Sequence, residues 1–273
     1  MKKTMTLLCI GLFISLVIGT FSDYQIASTV FIKDNYFSYF FEHFAPVVFG
    51  SILILAGSLV FFPLLQIKET TKFRFILFGL IGVLFTLLGL LMIVVYGKVI
   101  GGAYAVLYIP LVIWKVRQIP RELCHQYHIV GLGIILTAFC SMMIVENIKP
   151  IVGRVRFRSM QEDASLFTNW YQINGSKFLN SVPMKEEIKS FPSGHSQWAG
   201  TTLTLSFLAL ANPKWRIKEK QVFLCGLGYA LIIMLSRMMQ GAHFLSDVTV
   251  GFGVAFVCYM IFRKFLIEKN ISL

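Results

Sequence analysis

The sequence predicts an all-α protein, a polytopic membrane helical bundle of six to eight transmembrane helices. Three observations carry this. The 273 residues are 56% hydrophobic and only 14% charged, whereas soluble domains run nearer a quarter charged. Several runs approach the ~20 apolar residues that cross a bilayer. Most Lys and Arg fall in short connectors between those runs, as in loops that hold a topology against the cytoplasm. The length suits one integral membrane domain over residues 1–273, without a large soluble part.

The net charge of +12 does not point to nucleic acid, because no contiguous basic face with interleaved aromatics is present. Cys9, Cys124, Cys140, Cys225 and Cys258 form no CxxC pair. They read as small core residues, not as a disulfide framework or a zinc site.

In chain order, Met-Lys-Lys precedes an apolar run from Met5 to Phe21. It lacks a clean small-x-small cleavage pattern, so it reads as an uncleaved first helix with cytoplasmic lysines. Residues 22–45 mix Asp23, Lys33, Asp34, Glu42 and His43 with many aromatics, which suggests an interfacial anchor at headgroup depth. Apolar runs follow at about 46–65, 75–96 and 99–114, then at 129–148, 196–211, 221–236 and 247–266. The basic connectors at 68–74, 115–121 and 214–220 would face the cytoplasm with both termini. Whether six or eight spans are counted, three polar clusters at helix ends then face outward. The loop 149–192 is itself basic, which is unfavourable on the outside unless those charges have a task such as binding phosphate.

The first cluster is Lys149-Pro150-Ile151-Val152-Gly153-Arg154-Val155-Arg156, with Arg158 just beyond it in the same basic loop. The second is Pro192-Ser193-Gly194-His195. The third is Ser236-Arg237, then His243 and Asp247. His243 and Asp247 are four apart, which on a helix puts them on one face. An aspartate accepting the Nδ1 proton leaves Nε2 as nucleophile or base; a helix-end histidine beside a solvated aspartate fits the pair alone equally well. Pro-Ser before an apolar helix is a good helix start. Such an end offers unpaired amides to an anion, and glycine permits close approach. Fixed cations suit the charge that collects on phosphoryl oxygens.

Lysine, six residues, arginine; Pro-Ser-Gly-His; Ser-Arg, five residues, His, three residues, Asp: this resembles the three-part signature of the type 2 phosphatidic acid phosphatase superfamily, which also includes vanadium haloperoxidases. The resemblance covers roughly 129–262, and a phosphatase core at about 129–266 follows from it. Its short, weakly decorated form is similar to the bacterial lipid-phosphatase branch. The resemblance implies His243 as a nucleophile forming a phosphohistidine and Asp247 as its orienting group. His195 would be the proton donor to the leaving group, then the activator of water. Lys149, Arg156, Arg237, Ser193 and the Gly194 amide would cradle the phosphoryl oxygens, with no metal or other cofactor. Phe157 stands where the family usually has proline, which leaves open whether Arg154 or Arg158 shares the role of Arg156.

The implied protein is a multi-pass cell-membrane lipid phosphatase with an extracytoplasmic site. Its substrate would enter from the bilayer: undecaprenyl pyrophosphate, phosphatidylglycerol phosphate, phosphatidic acid or diacylglycerol pyrophosphate. The alternatives are a lipid-linked phosphotransferase and a non-catalytic transporter or scaffold on the same bundle. In the loop 159–190, Phe167, Trp170 and Tyr171 suggest an interfacial loop or a lid, and Asn174-Gly175-Ser176 matches a glycosylation acceptor pattern.

Overall fold

Hydropathy decides most of the architecture. The computed structural model describes residues 1–67, 71–160 and 163–271; Lys68 of the first basic connector lies outside them. Long helices are α1 (Lys2–Val30), α2 (Tyr36–Leu64), α3 (Lys72–Arg117) and α4 (Cys124–Val152). Then come a short α5 (Phe157–Met160), α6 (Gly194–Gly200), α7 (Ser206–Ala211), α8 (Glu219–Met239), α9 (Leu245–Phe262) and a terminal turn α10 (Glu268–Asn270). Among the described residues, 7 helices are long and apolar enough to cross a membrane. This is a polytopic helical bundle.

Two details refine the expected spans. Lys98 (φ 51, ψ −135) breaks α3, so the predicted runs 75–96 and 99–114 become the helices Lys72–Lys98 and Ile100–Arg117. The predicted run 196–211 is a broken helix. α6 and α7, of 7 and 6 residues, are joined by a 5-residue 3₁₀ stretch, Thr201–Leu205. Cys124 and Cys258 are buried as expected, but Cys9 and Cys225 are exposed, and all five thiols are free.

The chain divides into two compact units. One comprises His43–Cys140, Thr201–Leu227 and Phe256–Leu273. Here α2 and α3 touch backbone to backbone: a Cβ on Gly50 would strike the Gly89 carbonyl, and one on Gly57 the Gly82 carbonyl. Close packing of this kind holds helices together where lipid removes the hydrophobic drive. Buried polar groups are met locally, with His128 Nδ1 3.0 Å from the Val60 carbonyl and the Tyr108 hydroxyl donating to the Ser51 carbonyl at 3.0 Å.

The other unit comprises Met1–Glu42, Ser141–Gly200 and Gly228–Ala255, and it contains all three polar clusters. Its core gathers Ala27, Val155, Met160, Leu166, Phe178, Ile188 and Phe244, with Tyr24, Phe157, Phe167 and Val182 packed on it. The segment 22–45 is thus more than an interfacial anchor. α1 continues to Val30, and Asp23 and Ala27 are buried, because Asp23 finds ionic partners inside the unit. Two aromatics of the loop 159–190, Phe167 and Trp170, pack inward as well. The Phe167 ring lies 5.4 Å from Tyr24 and 5.5 Å from Phe244. Trp170 donates to Thr20 at 3.0 Å and stacks on Phe191, while Tyr171 stays exposed. The Asn174 amide is engaged by the Val152 carbonyl and the Thr168 hydroxyl.

The link from α8 to α9 is a Schellman turn. The Ala242 N–H donates to the Arg237 carbonyl at 3.2 Å, the Gly241 N–H donates to Met238 at 2.9 Å, and Gly241 has φ +64. These bonds satisfy the last carbonyls of α8 and demand a left-handed residue. A Cβ at Gly241 would also lie 2.8 Å from the Phe31 ring and 3.1 Å from the Arg158 Cβ. Gly241→Ala should therefore destabilise the protein by at least about 1–2 kcal/mol, seen as a lower midpoint of thermal unfolding in detergent; an unchanged midpoint would contradict this account of the turn.

Candidate active site

Each polar cluster is placed by a helix end. Lys149 is in the last turn of α4, and Arg156 lies just beyond it, where its N–H donates to the Glu187 carbonyl at 2.8 Å. Ser193 caps α6: its hydroxyl accepts from the Ser196 N–H at 3.3 Å and from the Ser196 hydroxyl at 3.0 Å. Its own N–H donates to the Asp247 carbonyl at 3.0 Å. A Cβ on Gly194 would sit 2.9 Å from Lys149 Nζ, so the missing side chain lets the lysine head reach the start of α6. Arg237 ends α8, the Schellman turn follows, and His243 precedes α9, whose first turn carries Asp247. All eight predicted site residues belong to one unit.

The expected direct bond between His243 and Asp247 is not made. His243 Nδ1 lies 2.6 Å from the Ser190 backbone carbonyl and 3.9 Å from Asp247 Oδ2. A carbonyl can only accept, so Nδ1 carries the proton and Nε2 is left with its lone pair. Asp247 acts one step removed. It accepts from the Ser190 hydroxyl at 2.5 Å and from the Phe244 N–H at 2.9 Å, fixing the residues on both sides of the imidazole. The Oδ2 atom already has these two donors, and the nearer carbonyl takes the ring proton.

The three arginines that the sequence left ambiguous are separated by burial. Arg154 is fully enclosed. It donates to Asp247 Oδ1 at 2.5 Å, Asp23 Oδ2 at 3.0 Å, the Ser246 hydroxyl at 2.9 Å and the Thr168 carbonyl at 2.8 Å. Its guanidinium also lies over the Phe244 ring, 4.0 Å from the centroid. Arg158 pairs with Glu187 at 2.8 Å, and Arg156 approaches the same carboxylate at 3.4 Å. The Arg156 Nε and the Arg237 Nε and Nη1 are buried without a hydrogen-bond partner among the described residues. Orphaned buried donors of this kind are rare and costly unless a ligand meets them. Phe157, in place of the family proline, turns its ring into the core against Tyr24, Phe31 and Phe244.

Five participants were missed by sequence reasoning: Asp23, Glu42, Glu187, Ser190 and Ser246. Ser246 donates its hydroxyl to Asp23, and its N–H donates to the same carboxylate at 3.0 Å. Glu187 accepts from the Ser159 hydroxyl as well as from the arginines. Burial pushes the Glu187 carboxyl up, but bonds from Arg158 and Ser159 and the charges of Arg156 and Arg158 bring it below its ordinary value. Glu42 accepts from Gln240 Nε2 at 2.7 Å and lies 3.3 Å from Arg237 Nη1. Its backbone carbonyl is 3.2 Å from His195 Nε2.

Both imidazoles are held well below their ordinary pKa of 6.5. Burial is the largest cause for each; next come Arg237 for His195, and Arg156 and Arg237 for His243, with Lys149 adding to both. His195 also disfavours the charge of His243. The cluster therefore joins a neutral imidazole with an open Nε2, a second imidazole, and donors ready for an anion. Such an arrangement can bind a phosphoryl group and act on it as nucleophile and acid. Among the described residues, no three or more His, Cys, Asp or Glu group to hold a metal ion.

A family model described as the PAP2 superfamily matches residues 127–270. Lipid phosphate phosphatase 1 of Arabidopsis thaliana is 27% identical over 172 residues, covering 57% of this chain and 51% of that protein. Lipid phosphate phosphatase 2 of the same plant is 27% identical over 172 residues, covering 56% and 58%. The chain thus spans little more than half the length of these curated relatives. No solved structure matches the chain.

The depressed histidines set a pH dependence for the ligand-free protein. The unfolded chain takes up their protons near pH 6.5 and the folded chain only lower, so the unfolded state binds more protons in between. Stability is then full above about pH 6.5 and declines as pH falls towards the folded pKa values. The stabilisation from Glu187, whose pKa is lowered from 4.5, is present throughout this range and is lost only at more acid pH. The unfolding midpoint should fall between pH 7.5 and 5.5, and fall less in His243→Asn; a flat profile would contradict neutral, buried imidazoles.

Proposed function

This chain belongs to the PAP2 superfamily, and from that premise we propose that it is a membrane lipid phosphatase, hydrolysing a lipid phosphomonoester or pyrophosphate through a phosphohistidine. The observation that carries the reading is the gathering of His195 and His243 with Lys149, Arg156 and Arg237, whose charges reach both rings. The names of the two plant relatives agree with it in substrate class.

In the proposed reaction His243 Nε2 attacks phosphorus while Nδ1–H stays on the Ser190 carbonyl. As the phosphorus–oxygen bond breaks, the leaving oxygen takes a proton from His195. The dianion itself opposes the cations that keep His195 neutral, so binding raises the fraction of rings able to donate. Water then attacks the phosphohistidine, giving its proton to His195, and inorganic phosphate leaves. Arg156, Arg237 and Lys149 hold the equatorial oxygens, where charge builds in the transition state. The Arg154–Asp247 pair holds the frame and does not touch the phosphate. Asp247 positions His243 through Ser190 and Phe244.

The site is proposed to face the extracytoplasmic side of the cell membrane. This rests on the basic connectors at 115–121 and 214–220, which by the positive-inside rule remain cytoplasmic. Substrate would enter from the bilayer with its tail left in lipid. Undecaprenyl pyrophosphate and phosphatidylglycerol phosphate head the candidates, ahead of phosphatidic acid and diacylglycerol pyrophosphate.

The test is phosphate release by purified protein from undecaprenyl pyrophosphate, phosphatidylglycerol phosphate and phosphatidic acid. At least one should be turned over, and His243→Ala should lower that rate by at least about 10³-fold with the unfolding midpoint kept. Unchanged turnover in the variant defeats the nucleophile assignment, and no release from any of the three defeats the lipid-phosphatase reading.

A further inference from the structure

Glu42 brings a negative charge to a site built for an anion. It lies near the start of α2, in a segment without any family motif. Its Oε1 is 3.3 Å from Arg237 Nη1, and its side chain keeps 28% exposure where the arginine keeps 1%. Arg237 Nη1 is therefore ion-paired with the carboxylate but, like Nε, has no hydrogen-bond partner among the described residues. The other oxygen is held by Gln240 Nε2 at 2.7 Å, and the carboxylate's charge also reaches Arg156 and Arg158. Glu42 therefore rests beside the guanidinium meant for the phosphate and leaves its best donors open.

Resting on the phosphatase reading above, we propose that the Glu42 carboxylate is a resident counter-anion of the phosphate cradle. It neutralises Arg237 while the site is empty, yields to the phosphoryl group, and returns as inorganic phosphate leaves, which keeps product affinity low. The chemistry requires such a device. Orphaned donors and several cations in a buried site would hold the free phosphate dianion as firmly as the substrate's, and uniformly tight binding does not raise turnover. A competing carboxylate at 28% exposure can swing aside without a large desolvation change, whereas a fully buried one could not. Glu42 would act on affinity and release, not on the bond-breaking step.

A brace that merely positions Arg237 would give the opposite sign, and this makes the idea testable. The experiment measures inhibition by inorganic phosphate and by orthovanadate of hydrolysis of a short-chain, water-soluble phosphatidic acid. Glu42→Gln keeps the size and the bond to Gln240 but removes the charge. It should tighten both inhibition constants by roughly tenfold and lower KM in parallel. Glu42→Asp keeps the charge but draws it back by one methylene, and should give a smaller change in the same direction; it serves alone if the first variant does not fold. Inhibition that is unchanged or weaker in the folded variants overturns the proposal while leaving the phosphatase reading in place. A wild-type protein that neither releases phosphate nor is inhibited by it removes the reading beneath.

Discussion

The bridge from Arg154 to Asp23 and Asp247 is the constraint on which the rest of this site is assembled. One guanidinium, without solvent contact, joins two carboxylates from α1 and α9 and takes a carbonyl from the loop between α5 and α6. Isolated, any of the three charges would be too costly to bury, and removing one partner of such a group typically costs about 3–5 kcal/mol. With all three present, the donors and acceptors are nearly matched, and Ser246 and Ser190 take much of the remaining capacity. The consequence for chemistry is indirect but strict. Asp247 cannot shift without breaking the bridge, so Ser190 and Phe244 cannot shift, and the imidazole between them keeps one tautomer and one direction.

Neighbouring cations have opposite duties here, and burial separates them. Arg154 is committed on every side. Arg156 and Arg237 keep unpaired nitrogens, and Arg158 balances Glu187. Along Gly153-Arg154-Val155-Arg156-Phe157-Arg158, Val155 lies in the apolar core and Phe157 packs against it. The three arginines do not form one charged patch, because Arg154 is drawn to Asp23 and Asp247 while Arg156 and Arg158 meet Glu187. The aromatic ring at 157 has its own packing role beside Tyr24 and Phe31.

Much of this was legible in the chain. The helices followed from apolar runs, and the break at Lys98 coincided with a predicted division. The polar clusters stood out at the helix ends, the resemblance they carry assigned the eight site residues, and the structure collects them in one unit. What escaped was long-range and unpatterned. Asp23 meets Arg154 across 131 residues, and Glu42 meets Gln240 across 198. Each lies in the mixed, aromatic-rich stretch 22–45, and nothing local distinguishes it from an anchor at the bilayer surface. Ser190 was invisible for another reason: it works through its backbone carbonyl, which any residue type possesses. The bond expected from His243 to Asp247 was a sound inference from four-residue spacing, but it assumed that both lie within one regular helix. His243 lies two residues before α9 begins, where the turn faces it towards the loop.

Helix α1 shows how a greasy rod can carry a steering function. Only 6% of its most apolar stretch is covered, yet its buried positions, Gly19, Asp23 and Ala27, recur every four residues. They make one narrow seam, flanked by Thr20, which accepts from Trp170, and by Tyr24, whose ring meets Phe167 edge-on. Rotating the rod by a single residue, about 100°, would swing the carboxylate out among acyl chains, where no partner waits. Most of its circumference can be almost any hydrocarbon, but its azimuth is keyed to the reaction centre.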